Sequence, residues 1–302
     1  MALTIQQWQA LNPQPIASGI VEVFARTNPV LENLPFINIA GSAYRYNVEE
    51  TLPGVAFRDF NAGYTESTGI VNPMIEKLTL LGGDSDFDKA LIAMQVGDND
   101  ARAELDAMKA KALSLNWLKT FLHGDTSVDP LSFDGLQKRI SGDQLLSAGT
   151  NGGNLNLDLL DETIDACRDT PDLLVMNKPM RRELNRLIRS SGHSLEIITD
   201  QFGRQLQHYQ GIPIGVIDKN PTDGEIMAFN EAAGTNNNTC SIYALCFGPG
   251  NIQGIQTQPM DVRDLGELEV KPAFRTRIEW YSGFTIKHGR AAARLAGLNQ
   301  PS

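Results

Sequence analysis

Alternation of apolar and polar side chains is strongest early in the chain. Residues 44–49 alternate strictly between the two classes, and apolar residues return around Met74–Leu81. Period-two alternation is typical of a half-buried strand. The two runs therefore predict a long hairpin over residues 44–81, with Leu78 and Leu80 on one face of its returning strand.

The connection between these two strands is rich in Gly, Pro and Thr, and it carries the aromatic residues Phe57, Phe60 and Tyr64. A two-stranded ribbon is marginally stable by itself in water. Aromatic side chains near its tip would be exposed on an isolated subunit. Two interpretations follow: the hairpin folds back on its own core, or it docks on a partner. We favour docking on a partner.

Helical periodicity is clearest over residues 98–124. Asp98 or Asp100 is suited to cap the start of this helix, and Gly124 is suited to end it. At 1.5 Å per residue it is on the order of 35 Å long, a length natural for the spine of an extended subunit. Three-four spacing places five apolar residues on the face expected to be buried: Leu105, Met108, Ala112, Leu115 and Leu122.

A mixed α/β region follows the glycine-rich link that ends at Asn154. We expect helices from Asp158 and Pro179, and strands at residues 173–176, 212–217 and 241–247. Alternation then predicts a closing strand with one set of side chains inward: Phe274, Thr276, Ile278 and Trp280. We expect a terminal helix over Ala291–Leu295.

Residues 1–43 contain four prolines and one short helical pattern around Ile16–Arg26. A segment of this kind buries little against itself. We therefore expect an extended arm that lies on something else, such as a neighbouring subunit.

Composition fits a soluble globular protein, because 41% of the 302 residues are hydrophobic and 21% are charged. No stretch approaches the roughly 18 apolar residues of a membrane helix, and the N-terminus lacks a signal-peptide pattern. The net charge is −10, but from Lys271 onward there are six basic residues and one acidic residue. An acidic protein repels DNA, so we interpret the basic tail as a strand edge or a subunit contact.

Motifs of catalysis and ligand binding are absent or incomplete. The four histidines lack metal-ligand spacing, and Gly248-Pro249-Gly250 lacks the following helix that a dinucleotide site needs. Asp84, Asp86 and Asp88 imitate the start of a calcium loop but lack its glycine and final glutamate, which indicates a solvated acidic loop. We expect Cys167, Cys240 and Cys246 to be buried thiols. No catalytic, cofactor or metal site is predicted, and the chain is not expected to be an enzyme.

Five segments share motifs with one known family: Leu174-Val175-Met176-Asn177-Lys178-Pro179, Tyr209-Gln210-Gly211-Ile212-Pro213-Ile214, Ile242–Gly248, Arg277–Gly283 and Arg290–Leu295. Their order, together with the arm, hairpin and long helix, resembles the tailed-bacteriophage major capsid proteins of the Hong Kong 97-like type. The likeness covers nearly the whole chain. It implies an α+β fold of the Hong Kong 97-like capsid class.

The resemblance also implies a division of the chain. Residues 1–43 would be the N-terminal arm and 44–81 the E-loop, the hairpin that reaches a neighbour. Residues 82–150 and 270–302 would be the peripheral domain with its spine helix, and 151–269 the axial α/β domain. Candidate inter-subunit contacts are Trp8, Phe57, Arg58, Phe60, Tyr64, Arg275 and Arg277.

The implied function is a structural subunit that self-assembles through hexamers and pentamers into an icosahedral phage head around double-stranded DNA. Assembly would take place in the host cytoplasm. Some relatives crosslink through a lysine at the E-loop tip, but Phe57–Glu66 contains none and Lys77 lies nearer the base, so we expect non-covalent shells.

No long charged pre-domain precedes the arm, so the family's scaffolding segment would be either cleaved away or supplied as a separate protein. We favour a separate scaffolding protein. A portal protein is a further expected partner, a decoration protein is possible, and no cofactor or membrane is expected. Two alternatives stay open: an encapsulin-type nanocompartment shell, and a soluble α/β enzyme with an unrecognised site.

Overall fold

Two β-sheets and a separate two-stranded hairpin dominate the computed structural model, which describes residues 28–90, 101–192, 196–199, 205–217, 219–220 and 224–301. The helices are α1 (Pro29–Asn33), α2 (Ala101–His123), α3 (Leu136–Arg139), α4 (Leu157–Asp165) and α5 (Lys178–Ser190). The strands are β1 (Phe36–Asn38), β2 (Ala43–Thr51), β3 (Ile70–Lys77), β4 (Thr79–Asp88), β5 (Leu145–Ser147), β6 (Leu173–Asn177), β7 (Glu196–Thr199), β8 (Gln205–Tyr209), β9 (Ile212–Ile217), β10 (Lys219–Asn220), β11 (Gly224–Glu225), β12 (Glu231–Ala233), β13 (Asn236–Leu245), β14 (Ile252–Gln256), β15 (Asp261–Glu267), β16 (Ala273–Ile286) and β17 (Ala292–Asn299).

The first sheet is organised around β16, which pairs antiparallel with β4, β14 and β15, while β1 pairs with β14. Thr276, Ile278 and Trp280 are buried and the residues between them are half-buried. The predicted strand and its inward set are therefore largely confirmed, although Phe274 is only half-buried. Long strands of this kind form because alternate side chains enter the core while their neighbours stay at the surface.

Residues 84–88 belong to β4, so the predicted acidic loop is wrong. Asp84 lies opposite Arg277 in the β4–β16 ladder, and Asp86 lies opposite Arg275. Paired with arginines, the carboxylates are tolerated in a strand, because cross-strand opposite charges stabilise the pairing.

Helix α2 packs against the first sheet through an aromatic cluster. The Trp117 ring stacks on Phe121 with centroids 5.1 Å apart, and Phe121 lies 4.6 Å from Phe284 of β16. The predicted helix is confirmed, but its predicted buried face is partly wrong, because Met108 is 69% exposed and Ala112 is exposed. The largest rings set the rotation of the helix, since they bury more apolar area than the aliphatic stripe.

The second sheet has the strand order β5-β17-β13-β6-β9-β8-β7, with β12 beside β13. Alternate residues of β6 divide between two cores. Leu174 and Met176 lie in one core with residues of α4 and α5, whereas Leu173 and Val175 join the aromatic core around α2. This sheet is thus a layer between two cores, with α4 and α5 on one of its faces. The three cysteines are buried, as predicted.

Residues 292–299 form β17, so the predicted terminal helix is wrong. The Ala-Ala-Ala-Arg-Leu run has good intrinsic helix propensity. It pairs instead with β13, from Ala292 opposite Leu245 to Asn299 opposite Thr239. Pairing with a buried strand overrides the local preference, because the side chains of β17 are mostly buried there.

Strand pairing does not follow the expected domain boundary at position 270. Strands β14 and β15 precede this position but pair with β16, and β17 follows it but pairs with β13. The chain therefore passes between the two sheets more often than a single boundary there implies. The division into arm, E-loop, peripheral and axial domains stays a prediction.

Candidate subunit interface

Strands β2 and β3 form the hairpin that the alternation predicts. They pair antiparallel from Ala43 opposite Lys77 to Thr51 opposite Ile70, with one irregularity near Glu49. Strand β3 ends at Lys77, and one residue, Leu78, separates it from the start of β4. Leu78 is half-buried, whereas Leu80 is 77% exposed, so the two leucines do not share a buried face as expected.

An ion pair anchors the base of the hairpin. Arg139, which ends α3, donates from Nη1 and Nη2 to the two carboxylate oxygens of Glu76, at 2.6 and 2.8 Å. The Arg139 guanidinium also lies 4.4 Å from the centre of the Phe284 ring. Tyr46 Oη donates to Glu76 at 3.4 Å, and burial followed by the charge of Glu76 raises the pKa of Tyr46 to about 12. The base is thus fixed to the subunit by charge, hydrogen bonds and ring contact.

Tyr44 adds a second connection at the base. Its ring stacks on Tyr46 with centroids 6.0 Å apart, and the ammonium group of Lys287 lies 5.5 Å from the Tyr44 ring centre. The backbone amide of Leu78 donates to the carbonyl of Ser42 at 2.9 Å. These contacts all lie at the same end of the hairpin.

The distal part of the hairpin is exposed. Every residue from 52 to 69 is exposed, and Phe60 retains 95% of its accessible surface. Phe57 is fully exposed. Arg58 holds the tip together locally, because it donates to the carbonyl of Ala62 at 3.0 Å and lies 5.3 Å from the Tyr64 ring centre. Large exposed apolar patches are typical of interaction sites, so the tip is a candidate for one.

A groove of about 750 Å³ lies beside the hairpin base, between the β3–β4 junction and the loop that follows α2. Its rim exposes Ile75, Leu80 and Leu131. This groove extends the apolar surface of the hairpin onto the body of the subunit.

Arg275 and Arg277 form ion pairs within the chain. Arg277 donates to both oxygens of Asp84 at 2.7 and 2.9 Å, and Arg275 donates to both oxygens of Asp86 at 2.6 and 2.8 Å. These hydrogen bonds hold the pKa of each carboxyl below its usual value. The structure thus separates these two arginines from the aromatic tip residues, and it gives them a role in the first sheet. Trp8 lies outside the described residues.

Within the described ranges, no three histidine, cysteine, aspartate or glutamate side chains are grouped so that they could hold a metal ion. In the same part of the chain, no helix is long and apolar enough to cross a membrane.

Residues 12–157 match the family model described as Major capsid protein GP7. No curated protein matches the chain. The resemblance to the phage major capsid proteins is confirmed. The matched family model is that of a capsid protein, which supports a structural role.

Solved structures share the fold over most of the chain. The holo-SrpI encapsulin complex from Synechococcus elongatus PCC 7942 aligns with a TM-score of 0.66 at 16% identity, covering 91% of this chain and 90% of the other. The capsid of the native GTA particle aligns with a TM-score of 0.64 at 14% identity, covering 91% and 90%. A structure from Mycobacterium phage Bobi aligns with a TM-score of 0.64 at 11% identity, covering 100% of each chain. The fold is therefore the α+β capsid fold of Hong Kong 97-like type. The encapsulin shares this fold, but the family match favours the phage capsid.

Sequence reasoning found the hairpin and its aromatic tip but missed the Glu76–Arg139 anchor. These residues lie 63 positions apart and belong to no recognisable motif. Nothing in the local pattern marks Arg139, because its partner is set by where α3 meets β3.

Proposed function

We propose that the chain is the major capsid subunit of a phage head, which assembles from hexamers and pentamers into an icosahedral shell around double-stranded DNA. One observation carries this proposal: the hairpin is anchored at its base and exposes Phe57 and Phe60 at its tip. Fully burying a phenylalanine side chain contributes about 1.5–3 kcal/mol. A second copy that covers the tip would gain this energy at every contact in the shell.

Modest contacts are enough for a closed shell. Each subunit repeats the same contacts with its neighbours, so weak interfaces add up through multivalency. The net charge of −10 limits attraction between the shell and the enclosed DNA. We assign Phe57, Arg58, Phe60 and Tyr64 to the inter-subunit contact, and we keep Trp8, Arg275 and Arg277 as further candidates.

Further parts of the proposal rest on the resemblance alone. Residues 1–43 act as an arm, residues 44–81 as the E-loop, 82–150 with 270–302 as the peripheral domain and 151–269 as the axial domain. A separate scaffolding protein guides assembly in the host cytoplasm, a portal protein occupies one vertex, and a decoration protein is an optional partner.

The test replaces Phe57 and Phe60 together with Asp. The subunit should keep its circular dichroism spectrum and its unfolding midpoint, because both side chains are exposed. Assembly should fail, as measured by electron microscopy and sedimentation velocity. The matched control, Phe57→Leu with Phe60→Leu, keeps the tip apolar and should still assemble.

Three outcomes count against the proposal. Equal assembly of the Asp double variant would show that the tip is not interfacial. A wild-type protein that stays monomeric or dimeric, with and without its scaffold, would exclude a capsid subunit. Native particles that contain an enzyme cargo instead of DNA would favour the encapsulin alternative.

A further inference from the structure

A basic groove lies at one end of the second sheet, between α5 and strands β7 and β8. It has a volume of about 590 Å³. Its lining includes Ile197 and four basic residues: Lys178, Arg181, Arg182 and Arg189. Within the described ranges, Arg181, Arg182 and Arg189 form no ion pair with a carboxylate. The Nε of Arg181 is buried and has no hydrogen-bond partner among the described residues. Arg182 and Arg189 are exposed, so their charges are accessible to an anionic partner.

An acidic face lies on α4, on the same side of the same sheet. Asp158, Glu162 and Asp165 are exposed and succeed one another at spacings of four and three, so they form one stripe of the helix. Among the described residues none of the three has an ion pair; Asp158 accepts only a hydrogen bond from Asn156. Like charges at this spacing destabilise a lone helix, and a basic partner would relieve that repulsion.

The two charged surfaces are separate surfaces of one copy. Helix α4 packs on β17, and its Asp161 accepts a hydrogen bond from Tyr209 at the end of β8, whereas the basic groove lies between α5 and the strands β7 and β8. The acidic residues lie on α4 and the basic residues on α5. One copy therefore presents negative charge on one helix of this face and positive charge on the other.

We propose that the basic groove of one copy binds the acidic face of α4 on the next copy around a capsomer ring. Different surfaces on the two partners make a head-to-tail contact, and such contacts close into rings when the rotation between copies allows it. Opposite charges also favour contact between the groove of one copy and the acidic face of another, because two grooves or two acidic faces repel each other. This inference rests on the proposed function, since it assumes that the chain forms rings.

Charge reversal tests the contact. The variant Arg181→Glu with Arg182→Glu reverses the groove, and Asp158→Lys with Glu162→Lys reverses the acidic face. Each should lower the fraction of protein in rings by roughly tenfold or more, because every contact in the ring is weakened at once. The chain that carries all four substitutions should recover assembly, since its two surfaces are complementary again.

The controls distinguish an interface between copies from misfolding and from nucleic-acid binding. Unfolding midpoints are measured on each unassembled variant, and the single changes Arg182→Glu and Asp158→Lys serve where a double variant fails to fold. Normal assembly of both double variants, or failure of the fourfold variant to assemble better than they do, would overturn the inference. Normal assembly with loss of packaged nucleic acid on groove reversal alone would overturn it too, in favour of nucleic-acid binding. Failure of the wild type to form rings would instead count against the proposed function.

Discussion

Arg139 and Glu76 join two parts of the chain through a pair of hydrogen bonds, at 2.6 and 2.8 Å, and both side chains are largely buried, with 15% and 16% of their surface exposed. The pair fixes the base of a hairpin whose tip is left exposed by the described part of the subunit. Rigidity at the base reduces the conformational entropy that is lost when the tip binds a partner.

Glu76→Gln is expected to lower the free energy of unfolding of the unassembled subunit by about 1–3 kcal/mol, because it leaves a largely buried guanidinium without its counter-charge. Urea denaturation measures this loss. Hydrogen exchange in β2 and β3 should also become faster. The control is Glu267→Gln, which breaks the exposed pair with Lys89 and should cost less than about 1 kcal/mol. Equal losses from the two variants would contradict the anchor.

Acid should weaken the pairing of β4 with β16. The arginine partners lower the pKa of Asp84 and Asp86 below the ordinary 3.8. Their stabilisation is therefore fully present above pH of about 4 and is lost as pH falls through the lowered values. The variant Asp84→Asn with Asp86→Asn should be less stable than wild type at neutral pH, and this difference should shrink as pH falls below about 4.

Urea denaturation of unassembled subunits at a series of pH values measures the difference. The control is Asp88→Asn in the same strand, whose carboxylate accepts from the Ala90 amide at 2.8 Å instead of from an arginine. A difference between the double variant and wild type that does not change with pH would contradict the prediction.

A buried ion pair between β12 and β17 should be sensitive to removal of one partner. Arg294 donates to Glu231 at 2.8 Å and to Ser241 at 2.9 Å, and the two charged side chains are 10% and 8% exposed. Arg294→Met should cost roughly 3–5 kcal/mol, because Glu231 is left buried and unpaired. Adding Glu231→Leu should recover much of this loss, since an apolar pair needs no counter-charge. Thermal and urea unfolding measure the stability of both variants. If the double variant is no more stable than Arg294→Met alone, the loss does not come from the unpaired Glu231 carboxylate.

Assembled particles should contain no covalent link between subunits. The tip, Phe57–Glu66, contains no lysine, and Lys77 lies at the base end of β3. Boiling in detergent with a reductant should therefore return single chains of 33.1 kDa. The reductant excludes disulfides that form after unfolding from the three cysteines. A ladder of linked species under these conditions would refute the prediction.

Local sequence was informative where neighbouring residues decide the structure. The strand at β16 and the start of α5 follow from nearby residues: alternation in the first case, and Pro179 in the second. Asn177 accepts from the Met180 amide at 2.9 Å, as an N-cap does. The buried face of α2 was harder to predict, because Trp117 and Phe121 meet Phe284 of a strand far away in the chain.

The sequence by itself determined the hairpin, its exposed aromatic tip, the long helix and the order of segments that resembles a capsid protein. Only the tertiary structure decided that residues 292–299 form a strand, that Asp84 and Asp86 meet Arg277 and Arg275, and that Arg139 anchors Glu76. The reason is physical. Periodicity and capping depend on residues within a few positions, whereas strand pairing and ion-pair partners depend on which distant segments the two cores bring together.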